Sequence, residues 1–150
     1  MNLARIYCDI SATTPIDPKI NEFIGDLNTR IFGNPSSIHR EGQAAKAVIE
    51  KSRIQLAKAL NAKTEEIIFT SSGSESNNMA IKGSLKSGDH FITSSYEHPA
   101  VLNIIPFLEN NNISVSLIKP NQDGIINPNK IKESIKENTR LISIMWANNE

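Results

Sequence analysis

The sequence predicts an α/β protein, a three-layer αβα arrangement around a mostly parallel sheet. Three observations carry this. Short β-branched and aromatic runs at residues 66–70, 90–94, 114–119 and 141–145 alternate with stretches whose apolar residues recur every three or four positions. No repeat or low-complexity linker interrupts the alternation. Polar clusters follow three of the runs, at the carboxyl ends where open α/β sheets hold their ligands.

Taken in order, residues 6–9 are a short apolar run, and Ser11-Ala12-Thr13-Thr14-Pro15 is a hydroxyl-rich loop. Asp17-Pro18 reads as an N-cap and first helical residue, opening a helix with Ile20, Phe23, Ile24 and Leu27 on one face. Gly33-Asn34-Pro35-Ser36-Ser37 breaks it. From about residue 40 to 60, Ala45, Val48, Ile49, Leu56 and Leu60 keep helical spacing with charges opposite. The run Glu66-Ile67-Ile68-Phe69-Thr70 is expected as a buried strand, followed by a helix through Met79, Ile81 and Leu85. Ser87-Gly88-Asp89 ends that helix, and His90 opens the next strand. Pro99 starts a helix bearing Val101, Leu102, Ile105 and Leu108, which Pro106 should kink or shorten. Ser114 opens a further strand, Asn121-Gln122-Asp123-Gly124 a turn, and Asn127-Pro128 another helix. Leu141 to Met145 closes the series.

With 150 residues the chain is the size of one domain and can bury a real core. Sixteen basic residues balance sixteen acidic ones, so no global field draws it to nucleic acid or to a membrane surface. Cys8 is the only cysteine, which excludes an intrachain disulfide framework and a zinc-type cluster and fits a reducing compartment. Without a leader-like start or a bilayer-length apolar run, the expectation is a cytoplasmic protein.

The stretch from Phe69 to Asn78 is the centre of the functional reading. A strand end, a turn of small hydroxyl residues and a helix start would aim backbone N–H groups and the positive end of a helix dipole at one spot. Ser71, Ser72, Ser74 and Ser76 would add hydroxyl donors, suiting a phosphate monoester; alternatively, these serines only cap the helix. Neither G-x-G-x-x-G nor G-x-x-x-x-G-K-[ST] is present, which speaks against a dinucleotide or ATP. The same rim carries Ser94-Ser95-Tyr96-Glu97-His98 and Ala147-Asn148-Asn149-Glu150. His98, ahead of Pro99, could stack on a flat ring and move protons, or simply cap its helix. Asn149 could hydrogen-bond a ring oxygen or only close the strand end.

Five motifs in order then acquire a common meaning. Tyr7-Cys8-Asp9-Ile10-Ser11-Ala12-Thr13-Thr14-Pro15, Phe32-Gly33-Asn34-Pro35-Ser36-Ser37 with His39, the turn from Thr70 to Asn78 with Ala80-Ile81-Lys82-Gly83, Glu97-His98, and Asn148-Asn149-Glu150 together resemble the cysteine desulfurases of the class V aminotransferase family. The resemblance implies part of the large domain of a fold-type-I pyridoxal 5'-phosphate transferase, with residues 1–15 a leading segment and 16–150 part of the cofactor-binding domain. It implies a homodimer that takes sulfur from L-cysteine, leaves alanine, and serves a sulfur-acceptor or scaffold protein in iron–sulfur cluster assembly or tRNA thiolation. Position by position, Gly73 and Ser74 match the pair that binds the cofactor phosphate. His98 matches the ring-stacking, proton-transferring histidine, and Asn149 the asparagine at the ring oxygen.

Ser72 stands where the family usually has glycine, so a strained cradle is expected if that position needs positive φ. Cys8 falls in the opening run and does not match the family's mobile catalytic cysteine; a structural role is expected for it. In the family the lysine that holds the cofactor, the aspartate at its ring nitrogen, the arginine for the substrate carboxylate and the nucleophilic cysteine lie beyond the Asn-Asn-Glu motif. No lysine here, Lys82 and Lys119 included, sits in a matching context, so these 150 residues are expected not to turn over cysteine alone. Alternative expectations are a selenocysteine lyase or another class V transferase, or a non-catalytic truncated or split-gene remnant.

Overall fold

The computed structural model describes residues 6–149; residues 1–5 of the leading segment and Glu150 of the last motif lie outside the described residues. The chain forms two compact units, Met1–Phe69 and Thr70–Glu150.

In the first unit, residues 6–9 form no strand. The backbone turns instead, with the Ala12 N–H donating to the Asp9 carbonyl and the Tyr7 hydroxyl donating to the carbonyls of Asp9 and Thr13. Cys8 is exposed there, so the structural role expected for it in an opening strand is not what the fold provides. Helix α1 (Pro18–Arg30) begins as read: the Asp17 carboxylate caps the N–H groups of Lys19 and Ile20, and Pro18 fills a position whose N–H has no helical acceptor. Helix α2 (Arg40–Ala59) is capped by His39, whose Nδ1 accepts from the Gly42 N–H. Two glycines let the preceding loop lie on the first turn of α2. A Cβ on Gly33 would sit 2.3 Å from the Glu41 backbone, and one on Gly42 would sit 2.6 Å from the carbonyl oxygens of Asn34 and Ser37.

The strand expected at residues 66–70 is absent. A 3-10 turn (Thr64–Glu66) leads into an extended segment without a ladder. A strand exists only where a neighbour supplies N–H and C=O partners, and no described strand lies alongside. The Ile67 carbonyl accepts instead from the Arg53 guanidinium, which also lies 4.9 Å over the Phe69 ring, tying the segment back to α2.

The second unit holds α3 (Gly73–Ser84), β1 (His90–Ser94), α4 (Pro99–Leu102), α5 (Ile105–Asn110), β2 (Ser114–Ile118), α6 (Pro128–Glu133) and β3 (Thr139–Ser143). The strands form a parallel sheet in the order β2-β1-β3, confirming the α/β reading. β1 is central and wholly buried, as a strand covered on both faces must be. One face of β1 contributes Phe91 to a core with Ile81, Val101, Ile104, Leu108 and Ile113, so α3, α4 and α5 cover that face. The opposite face carries His90, Ile92 and Ser94 by strand alternation. His90 Nδ1 lies 2.8 Å from Thr139 Oγ1 and Nε2 2.9 Å from Ser116 Oγ, so one ring spans all three strands. Burial, and then the positive charge of Lys136, push its pKa below the usual histidine value.

The helix expected from Pro99 is two short ones. The chain breaks at Asn103 and Ile104, and Pro106 falls in the first turn of α5, where its missing N–H costs nothing. β3 starts two residues earlier than the apolar run suggested, because Thr139 is the residue that pairs with His90. One buried polar atom, Thr93 Oγ1, has no hydrogen-bond partner among the described residues.

Candidate functional site

Parallel strands deliver their following loops to one end of the sheet. The chain goes from β1 out to β2 and then back past β1 to β3, so the strand order reverses between β1 and β3. That reversal is where open α/β sheets leave a binding crevice. His98 follows β1 and Asn149 follows β3, on either side of it.

The serine-rich turn reaches the same end through α3. Ser72 is the N-cap, with its Oγ accepting from the Glu75 N–H at 3.2 Å. Its φ of −165° is extended backbone open to any residue, so the strain expected for serine in place of glycine does not arise. The expected set of four hydroxyl donors is smaller than it looked. Ser71 gives both its N–H and its hydroxyl to the Glu75 carboxylate at 2.6 Å, and Ser76 Oγ bonds Thr70 Oγ1 at 2.6 Å. These bonds, the Ser71 hydroxyl first, hold the Glu75 carboxyl below its usual pKa. Ser74 is the exposed hydroxyl of the turn with no side-chain bond among the described residues. Above Gly73 the space is open, with nothing within 4 Å of where a Cβ would sit. The N–H groups of Gly73 and Ser74 lie ahead of the first helical bond, from the Ser76 N–H to the Ser72 carbonyl, and so have no intrahelical acceptor.

One amide links this turn to His98. Asn78 Nδ2 donates to the Ser74 carbonyl at 2.9 Å and lies 3.4 Å from the Ala100 carbonyl in α4. The Ala100 N–H in turn donates to His98 Nδ1 at 3.0 Å. His98 therefore does cap its helix, and because Nδ1 is the acceptor, the neutral ring carries its proton on the exposed Nε2. His98, Asn148 and Asn149 line one cavity of about 290 Å³ with Ser95, Tyr96, Glu97 and Pro99. A second cavity of about 510 Å³ adjoins it, sharing Tyr96 and Asn148 and bounded by Asp123, Met145 and Trp146.

Glu97 belongs to one of the sequence motifs, but the sequence alone assigns it no role. It is buried, 6% exposed, with Oε1 accepting from Ser94 Oγ at 2.8 Å and from the Met145 N–H at 2.8 Å. Asn148 Nδ2 adds a bond to the Tyr96 carbonyl at 2.8 Å. The one available signal is a serine three residues ahead of a carboxylate directly after a strand.

Compared with known proteins, the chain matches the family described as Aminotransferase class-V over residues 6–150. It belongs to that family. This class V chain is 45% identical over 151 residues to the protein named cysteine desulfurase IscS of Dictyoglomus turgidum, a match covering 97% of the chain and 38% of that relative. It is 42% identical to the mitosomal cysteine desulfurase of Encephalitozoon cuniculi, over 97% of the chain and 35% of the relative. Among solved structures, the one titled "SspA in complex with cysteine" superposes with a TM-score of 0.88 at 40% identity, covering 96% of the chain and 43% of that protein. A "NIFS-like protein" gives 0.89 at 34% identity, over 97% of the chain and 41% of its own. The chain thus spans about two fifths of the length of these relatives, and its fold is the corresponding part of theirs. Among the described residues, no helix is long and apolar enough to cross a membrane.

Proposed function

We propose that this chain is the amino-terminal portion of a pyridoxal 5'-phosphate-dependent cysteine desulfurase acting on L-cysteine. The observation that supports it best is the meeting of His98 and Asn149 in one cavity, one amide away from the uncommitted α3 N-terminus, in a chain 45% identical to a protein of that name.

The residues fit the cofactor. The N–H groups of Gly73 and Ser74, which lack intrahelical acceptors, the Ser74 hydroxyl and the open space above Gly73 suit a phosphate dianion. The Glu75 carboxylate does not compete, being turned back onto Ser71. When bound, pyridoxal phosphate supplies the electron sink for a carbanion at the substrate. His98 holds or moves a proton at Nε2, since Nδ1 is occupied by the Ala100 N–H. Asn149 offers its carboxamide N–H to the ring oxygen. In this reading the native protein is a homodimer that hands sulfur to an acceptor or scaffold protein.

The test is cofactor binding to the full chain, followed through the fluorescence of Trp146, its single tryptophan. Pyridoxal 5'-phosphate should bind more tightly than pyridoxal, and Ser74→Ala should weaken it about ten-fold. Equal binding of both compounds would sink the phosphate cradle.

A further inference from the structure

Glu97 lines the cavity, yet its buried carboxylate is bonded to the two loops that make the cavity. We propose that Glu97 is a positioning residue, a buried carboxylate clamp that fixes the distance between the His98 turn and the loop carrying Asn148 and Asn149. The proposal rests on the cofactor site described above for its purpose, although the clamp itself is independent of any ligand.

Three observations converge. First, a carboxylate 6% exposed needs partners, and its two donors come from different places: Ser94 Oγ at the end of β1 and the Met145 N–H just beyond β3. The second bond joins residues 48 apart in sequence. Second, Met145 lies past the last ladder residue, Ser143, where its N–H has no strand partner to accept it. Glu97 thus extends the β1–β3 pairing beyond the end of the sheet by using a side chain as acceptor. Third, Ser94 Oγ also accepts from the Tyr96 N–H at 3.2 Å, while Tyr96 O accepts from Asn148 Nδ2. The turn is therefore braced at the root by Ser94, across the crevice by Glu97, and again by Asn148. His98 is the next residue after Glu97, and Asn149 the next after Asn148. Each site residue is held by the anchor directly before it.

The charge matters less than the reach. A charged acceptor makes stronger bonds than a neutral one, yet Glu97→Gln keeps an oxygen at the same place, whereas Glu97→Asp falls one methylene short. The experiment is amide hydrogen exchange on the full chain with Glu97→Ala, Glu97→Gln and Glu97→Asp, with Trp146 anisotropy beside it. Exchange at Met145 and the residues that follow should rise about ten-fold or more in E97A and E97D and stay within about three-fold of the parent in E97Q. Amides of the β1–β2 ladder should not change, which a merely structural role in the whole unit would not allow. Trp146, next to Met145, should gain mobility in the same two variants. Unchanged exchange at Met145 in E97D overturns the clamp, as does a loss in E97Q equal to that in E97D. If E97A unfolds outright, E97D and E97Q still decide. Pyridoxal phosphate affinity should fall in E97D and be kept in E97Q. Failure of the parent chain to bind it overturns the cofactor reading, while exchange alone decides the clamp.

Discussion

The two units of the chain handle apolar residues in opposite ways. In the second, Phe91, Ile92 and Leu108 are 0% exposed and the core is closed by helices from the same unit. In the first, Ile20, Phe23 and Ile24 form the amphipathic face of α1 yet are 52%, 57% and 41% exposed, and its buried side chains are small. The second unit is stabilised by side-chain burial, and the first by close backbone packing at Gly33 and Gly42 and by the Arg53 bond to Ile67. An amphipathic pattern therefore reports what a helix can bury, and a core requires a second surface as well.

The contrast can be broken most directly with two phenylalanines. Phe91→Ala should cost about 3–5 kcal/mol in urea unfolding, and Phe23→Ala no more than about 0.5 kcal/mol. Comparable losses would mean that the α1 face is covered in solution. Two glycines sharpen the backbone half of the argument. Gly42→Ala should destabilise by about 1–3 kcal/mol, because its Cβ meets two carbonyl oxygens. Gly25→Ala, in α1 with nothing within 4 Å, should gain about 0.5–1 kcal/mol, so equal effects of the two would refute the packing claim. In the second unit, Thr93→Val removes a buried hydroxyl with no partner among the described residues and should raise the melting temperature by the equivalent of about 1 kcal/mol. The smallest effect concerns acid. His90 has a folded-state pKa below its ordinary 6.5, so the unfolded chain binds the proton first. Stability should be full above that value and decline as the pH falls through it, and a melting curve flat from pH 7 to 5 would show that the ring is not held neutral.

Much of the sheet was legible because β1 and β2 are short β-branched runs between unmistakable punctuation, Gly88-Asp89 before one and Asn121 to Gly124 after the other. Residues 66–70 have the same composition and form no strand, since composition cannot say whether a neighbour is there to pair. Pro106 was legible because its effect is local. At the site, parallel topology was enough to place His98 and Asn149 at one rim. The serines were harder. Four hydroxyls within six residues suggested four donors, but Ser71 and Ser76 are spent on local partners and Ser72 Oγ accepts from the Glu75 N–H, a competition that residue order does not reveal. The role of Glu97 was hidden for a related reason, because its partner Met145 lies 48 residues away.

The position of β1 between its two neighbours also sets an order of assembly during synthesis. β1 can pair with β2 once residue 118 has emerged, but its other edge and the second partner of His90 wait for residues 139–143. At about 5–20 residues per second, that interval of about 25 residues lasts roughly one to five seconds. Over that time the nascent chain carries an apolar central strand with one edge open, exposed to mispairing with other chains.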